Sequence, residues 1–327
     1  MKILIIGGTR FVGHHIAQTA INNGHEVTLF NRGRTKSELT GEVMYIKGDR
    51  NVDLEKLKGF KFDAVIDTCA YLPNQVKETA QVLKDSVKKY LLISTISTLN
   101  PKELYTDESV ELKEADMSST DITAETYGPL KVGCEEVLLD IYPEEDVTII
   151  RPGYIVGNKD YTDRFTFWPI MMKNLDKMLI PKHTNLNYQF IDVKDLGEFV
   201  VLALEKELSG AYHLTGPKTD LLFTDFIHLC KDIMNPDCEL IELDDEWFEK
   251  NQIVKPRMFP TYSDDEFSKL LFSLNTEKAQ KVGLRYRPIE DTIMDAVEWF
   301  ESNRESVNDL AAGISINDMK EKINQLI

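Results

Sequence analysis

The chain has 327 residues, 42% of them hydrophobic, enough to bury a full core in one large α/β domain carrying a smaller lobe. With 38 basic residues against 55 acidic, its net charge of −17 repels nucleic acid and anionic membranes, and no local basic patch offsets it. Cys69, Cys134, Cys230 and Cys238 form no C-x-x-C pair and the histidines show no H-E-x-x-H spacing, so no metal site is expected. No apolar run approaches the ~20 residues that span a bilayer, and a cytoplasmic protein with reduced thiols is the expectation.

Ile3-Leu4-Ile5-Ile6 follows one lysine as an apolar run fit for a strand buried on both faces, and Gly7 and Gly8 stop it at once. A periodic segment comes next, with Phe11, Val12, Ile16, Ala17 and Ala20 on one helical face. The order strand, glycine turn, helix predicts a dinucleotide-binding turn over Gly7, Gly8, Thr9, Arg10, Phe11, Val12 and Gly13. Gly7 and Gly8 allow the torsions and close approach a pyrophosphate needs, and Gly13 lets the helix pack tightly on the strand. The unpaired N–H groups of Gly8 to Val12 then face the phosphates. The usual fingerprint has a further glycine where this chain has Arg10, so the context must support the reading against a strand-to-helix turn without a ligand.

The second strand is Glu26 to Phe30, after a turn at Asn22-Asn23-Gly24-His25. Asn31 follows, close to where an acid commonly grips the adenosine ribose in NAD-binding proteins, and Arg32 and Arg34 come directly after it. A guanidinium suits a 2′-phosphate, which tilts the expected cofactor to NADP over NAD; a solvated basic loop is the competing reading. Val43 to Ile46 and Asp63 to Asp67 are the third and fourth strands. Ligands of open α/β sheets lie beyond the carboxyl ends of strands, so Asp49 is a candidate for the adenine, Arg50 beside it for cofactor binding, and Thr68, Cys69 and Ala70 for main-chain contact along the cofactor. For Asp49, capping a helical segment near Val52 is the alternative.

A helix from Pro73 to Lys84 leads to a fifth strand, Tyr90 to Thr95, whose end carries hydroxyls. Tyr127 and Lys131 stand four apart on one face of a helix that continues to about Asp140, with Pro129 in its first turn. Val147 to Ile150 is the sixth strand, broken by Arg151-Pro152-Gly153. Asp163 to Pro169 and a short Met-rich helix read as a lid or substrate lobe, their aromatics as core or ligand contacts, and Phe190 to Leu196 as the opening of another helix. Past Gly210 short strands alternate with helices, including an amphipathic one from Ile289 to Phe300. Residues 1–152 are thus expected to bind the dinucleotide, and 153–327 to form mainly a substrate lobe interleaved with returning elements of the first domain.

Tyrosine ionises near pH ~10 and needs a nearby ammonium to act as an acid/base at neutral pH. Lys131 supplies one and can also bind the nicotinamide ribose. Thr95 is placed to bond the substrate oxygen, with Ser97 as its substitute, so the group predicts interconversion of carbinol and carbonyl with hydride transfer.

In these pieces the chain resembles the extended short-chain dehydrogenase/reductases, including the NAD-dependent epimerase/dehydratase group. The resemblance runs through Gly7 to Gly13, Gly48-Asp49, Ser94-Thr95-Ile96-Ser97, Tyr127 and Lys131, Arg151-Pro152, Phe190 to Leu196, and Arg287 to Asp291 leading to Trp299. The turn is similar to that of a sub-group with isoflavone-reductase-like and chloroplast stem-loop-binding proteins. What the resemblance implies is an α/β Rossmann fold, doubly wound, with a mainly parallel seven-stranded sheet and a smaller C-terminal α/β lobe. It also implies catalysis by Thr95, Tyr127 and Lys131, and a homodimer through the helices Pro73 to Lys84 and Pro129 to Asp140.

Ile96-Ser97 stands where dehydratases of nucleotide sugars carry Asp-Glu, which points away from water elimination. Tyr188 and Tyr154 stand where the sugar-nucleotide epimerases usually have arginine and asparagine; Arg164 and Arg257 are the conceivable substitutes. The expected function is an NAD(P)-dependent oxidoreductase or epimerase acting on a sugar-like or other small carbonyl substrate. The alternative is a non-catalytic Rossmann protein that binds RNA or senses dinucleotide.

Overall fold

The computed structural model describes residues 1–326. They form two compact units that interleave along the chain. The first takes Met1–Tyr154, Val193–Thr215 and Leu274–Arg285; the second takes Ile155–Asp192, Gly216–Ser273 and the chain from Tyr286.

The strands, in chain order, are β1 (Lys2–Ile6), β2 (Glu26–Asn31), β3 (Val43–Lys47), β4 (Phe62–Asp67), β5 (Val87–Ile93), β6 (Val147–Pro152), β7 (Tyr154–Val156), β8 (Lys177–Pro181), β9 (Phe190–Asp192), β10 (Gly210–Leu214) and β11 (Glu239–Leu243). Seven of them make the sheet of the first unit in the order β10-β6-β5-β4-β1-β2-β3, every neighbouring pair parallel. The order reverses between β1 and β4, the switch point at which open α/β sheets take ligands. This is the doubly wound Rossmann arrangement.

Parallel neighbours need crossovers, which helices supply at β1–β2, β4–β5 and β5–β6, whereas residues 32–42 cross from β2 to β3 without one. The helices used below are α1 (Phe11–Asn22), α2 (Pro73–Leu83), α3 (Tyr127–Ile141), α4 (Phe167–Lys173), α5 (Val193–Glu205) and α6 (Phe223–Met234). Leu4, Ile6, Val65, Tyr90, Leu92 and Ile149 share one buried cluster with Val76, Ala80 and Leu83 of α2 and Cys134, Val137 and Leu138 of α3. α1 and α5 pack on each other outside that cluster, so the two helix pairs cover opposite faces of the pleat. A sheet covered on both faces explains why Ile3 to Ile6 of β1 and Tyr90 to Ile93 of β5 read as continuous apolar runs.

Three elements differ from the sequence reading. Phe190–Asp192 is a short strand beside β7, and α5 starts at Val193; three residues are too few to reveal a period. Arg151 and Pro152 continue β6 because His213 and Leu214 of β10 pair with them. β5 ends at Ile93, after which extended Thr95 caps a helical turn, Ile96–Thr98.

In the second unit β8 pairs with β11 in parallel. Its core is aromatic. Trp168 of α4 stands edge-on to Phe223 of α6, with ring centroids 5.1 Å apart, and stacks on Phe259 at 5.6 Å, while its Nε1 donates to the Pro260 carbonyl at 2.9 Å. Phe165, Phe167 and Trp168 are fully buried, so of the two readings of this aromatic stretch the core one applies.

One buried ion pair ties the loops of the first unit together. Arg50, just past β3, donates from Nη1 and Nη2 to the two oxygens of Asp67 at the end of β4, both at 2.8 Å. Nη2 also reaches the Gln75 carbonyl at 2.9 Å and Thr79 Oγ1 at 3.0 Å on α2, and Tyr90 donates its hydroxyl to Asp67 at 2.9 Å. Burial opposes ionisation of Asp67, but the Arg50 charge and the hydrogen bonds it accepts outweigh that and hold its carboxyl below the ordinary range. Replacing Asp67 by asparagine leaves a buried guanidinium without its counter-charge and is expected to cost about 3–5 kcal/mol in urea unfolding at neutral pH. A depressed carboxyl stabilises above the unfolded value, so the gap between wild type and Asp67→Asn should be full above about pH 4 and close as the pH falls below it.

Candidate functional site

At the carboxyl end of β1 the chain turns through Gly7 at φ 104° and Gly8 at φ 86°, torsions that a side chain resists. α1 then begins against the turn: a Cβ on Gly13 would stand 2.7 Å from the Gly8 nitrogen and 2.9 Å from its Cα. Arg10, exposed at the N-cap, supplies no side-chain cap, and the first turn of α1 carries no acidic residue. The first turn of α1 thus brings no acid of its own to the positive end of the helix, and the glycine cradle fits a pyrophosphate.

Thr68 and Cys69 lie beneath this turn. Both bond the Ile6 carbonyl, Thr68 from Oγ1 at 2.7 Å and Cys69 from Sγ at 3.5 Å, and a methyl on Gly7 would collide with the Thr68 hydroxyl. Burial and the charge of Asp67 push the Cys69 thiol up, which leaves it protonated and no nucleophile at neutral pH.

The adenosine side divides the expected residues. Arg32 and Arg34 are exposed after β2. Asn31 donates from Nδ2 to the Gly7 carbonyl at 3.0 Å and accepts at Oδ1 from the Gly33 amide at 2.9 Å. Asp49 closes a local turn, its carboxylate accepting from the Asn51 amide at 3.0 Å, and Asp53, not Asp49, precedes the helical turn Leu54–Leu57. Arg50 is a correction: expected from the sequence to bind the cofactor, it turns its guanidinium inward to Asp67, because a buried carboxylate is the stronger partner.

The end of β5 sorts its hydroxyls. Ser94 points into the protein and donates to Glu135 of α3, which pairs with Arg151 through Nη2 at 2.6 Å. Thr95 and Ser97 remain together, Oγ1 to Oγ 3.3 Å, with the Ser97 amide on Thr95 Oγ1 at 3.2 Å. Gly128 sits so close to the Ser97 carbonyl that a methyl there would collide with it, which seats the first turn of α3, and half-buried Tyr127, against this segment. Reading by side-chain chemistry passed over Gly128; its only signal was a glycine between Tyr127 and Pro129.

One turn on, Lys131 is 3% exposed and donates to the Ala70 carbonyl past β4 and the Ile93 carbonyl at the end of β5, both at 2.7 Å. An ammonium has three donors, so one is left. The glycine turn, Thr68 to Ala70, Thr95 and Lys131 thus gather along the carboxyl edge of β1, β4 and β5. In the second unit Tyr188 is buried among aromatic rings, its hydroxyl donating to Thr261 Oγ1 at 2.9 Å, and serves as core. Among the described residues no cluster of potential metal ligands occurs and no helix is long and apolar enough to cross a membrane.

The model of the NAD dependent epimerase/dehydratase family matches residues 3–214. The chain is similar to the chloroplast stem-loop binding protein of 41 kDa b of Arabidopsis thaliana, 27% identical over 235 residues, which are 66% of this chain and 59% of that protein; it therefore spans less than two thirds of that relative. It is also similar to the phenylcoumaran benzylic ether reductase TP7 of Nicotiana tabacum, 22% identical over 79% of this chain and 83% of that one. Among solved structures, the UDP-glucuronic acid 4-epimerase of Bacillus cereus in complex with NAD superposes with a TM-score of 0.66 and 18% identity, over 93% of this chain and 98% of that one; at that identity the likeness is one of fold.

The contact of Gly13 with Gly8 can be tested without any ligand. A Gly13→Ala variant must push α1 off the glycine turn, and the strain is expected to cost about 1–3 kcal/mol, read as a lower Tm. An unchanged Tm would mean the helix start has room to spare.

Proposed function

The chain belongs to the NAD dependent epimerase/dehydratase family, and on that premise we propose that it is an NAD(P)-dependent oxidoreductase or epimerase acting on a sugar-like or other small carbonyl or hydroxyl substrate. The observation that carries the reading is the seat of Lys131: a buried ammonium on the carbonyls of Ala70 and Ile93, at the edge that also carries the glycine turn. A nicotinamide dinucleotide bound there would supply the hydride acceptor or donor.

The other tasks fall to the chain's own residues. Removing a hydride from carbon and a proton from oxygen turns a carbinol into a carbonyl, and Tyr127 Oη takes that proton or returns it. Lys131, seated on the Ala70 and Ile93 carbonyls, directs its third donor to a ribose hydroxyl. Thr95 holds the reacting oxygen, with Ser97 in bonding distance of it as the substitute. Arg32 and Arg34 favour NADP over NAD. Ile96-Ser97, in place of two acids, favours redox or epimerisation over water elimination.

The stem-loop-binding relative motivates a second reading, nucleic-acid binding without chemistry. The net charge of −17 opposes it through phosphate repulsion. A labelled-RNA shift assay beside a dinucleotide titration separates the two.

Tyr127→Phe removes only the transferable proton, so it should leave dinucleotide affinity nearly intact while lowering turnover by roughly 10²–10⁴-fold. Lys131→Met should damage both. Substrate is to be found by screening sugar and small carbonyl compounds for absorbance change at the reduced nicotinamide; a Tyr127→Phe enzyme with the wild-type rate excludes this mechanism.

A further inference from the structure

Asn31 is the residue at which three loops of the first unit meet. Its main-chain carbonyl accepts from the Gly48 amide at 2.9 Å, and the preceding carbonyl, of Phe30, accepts from the Gly7 amide at 2.9 Å. Its side chain then does two opposite things at once, donating to the Gly7 carbonyl and accepting from the Gly33 amide. Only a carboxamide has a donor and an acceptor so placed; a carboxylate has no donor and would face the Gly7 oxygen with a charge. The bond to Gly33 closes a tight turn whose last residue is left-handed, at φ 64°, with Arg32 and Arg34 exposed on either side of it. The stem of Lys47 runs beside Gly33, its Cδ and Cε 3.5 Å from where a Cβ would stand, so a third cation borders the turn.

We infer that Asn31 is a positioning residue for cofactor choice: by clasping Gly7 and Gly33 together it holds Arg32 and Arg34 beside the glycine turn, where they select a ribose 2′-phosphate over a 2′-hydroxyl. The inference rests on the reading that this turn holds a nicotinamide dinucleotide. An acid at the same place would act twice in the other direction, gripping a free 2′-hydroxyl and repelling the phosphate. Asparagine, with one donor and one acceptor engaged on the backbone, carries no charge to repel a phosphate and leaves the anion to the guanidiniums.

The test compares the wild-type chain with Asn31→Ala, Asn31→Asp and the double variant Arg32→Ala/Arg34→Ala, by calorimetric titration with NADPH and NADH and by amide hydrogen exchange without ligand. Wild type is expected to favour NADPH, and Asn31→Ala to lose about tenfold in NADPH affinity while NADH stays within about twofold, the size of one or two lost charge-assisted bonds. Asn31→Asp should reverse the preference. Exchange at Gly33 should quicken in Asn31→Ala and stay unchanged in the double variant, which alters exposed side chains alone and still loses the NADPH preference if Asn31→Ala does not fold. Equal losses of both dinucleotides in Asn31→Ala, an unchanged Gly33 amide, or a wild-type preference for NADH would overturn the inference and leave the dinucleotide reading standing. A wild-type chain that binds neither dinucleotide would remove both.

Discussion

The absence of a side chain at residue 13 is the constraint on which the site depends. Because nothing projects from Gly13, α1 starts in contact with the Gly8 backbone, and its first turn lies at the end of β1 rather than a side chain's width away. Open α/β sheets take ligands at such a switch point as the one between β1 and β4, and this contact brings the start of α1 to that place. Thr68 depends on it in turn, since its hydroxyl fills the space beneath Gly7 that a larger residue there would claim.

Around the cradle, buried polar groups do the bracing. Arg50 and Asp67 link the exit of β3 to the exit of β4 and to α2; Glu135 and Arg151 link α3 to β6, with Ser94 bonded to the same carboxylate. Charges taken out of water contribute little net stability, yet either partner alone is costly, so each pair specifies one arrangement of its loops more strongly than it stabilises the fold. The strand ends that carry Thr68 and Thr95 are each held by one of these pairs.

Much of this was legible in the sequence because the residues concerned have few alternatives. Two glycines after four apolar residues permit little besides a tight turn, and Tyr127 and Lys131 share a face in any helix. The conformation of Ser94, Thr95 and Ser97 was less accessible: three hydroxyls within four residues look alike until Glu135, 41 residues on, claims the first. Arg50 misled for a related reason. Its neighbour Asp49 belongs to the turn, but the carboxylate that orients the guanidinium is Asp67, seventeen positions away. Tyr188 reads as a lost anion anchor, and only the rings of Phe223 and Phe226 reveal it as core. Long-range partners, invisible to period and spacing, account for each of these.

The return of β10 to the sheet bears on how the molecule is made. β6 is apolar at Val147, Ile149 and Ile150 and pairs on one side with β5; its other edge is covered by residues 210–214, whose Ala211 carbonyl is in turn held by Lys278 at 2.7 Å. During synthesis that edge is open while some sixty further residues, most of them belonging to the second unit, leave the ribosome. An unpaired apolar edge recruits other strands, so a nascent chain stalled there, or a fragment cut at the end of β6, exposes a sticky border that the finished protein never presents.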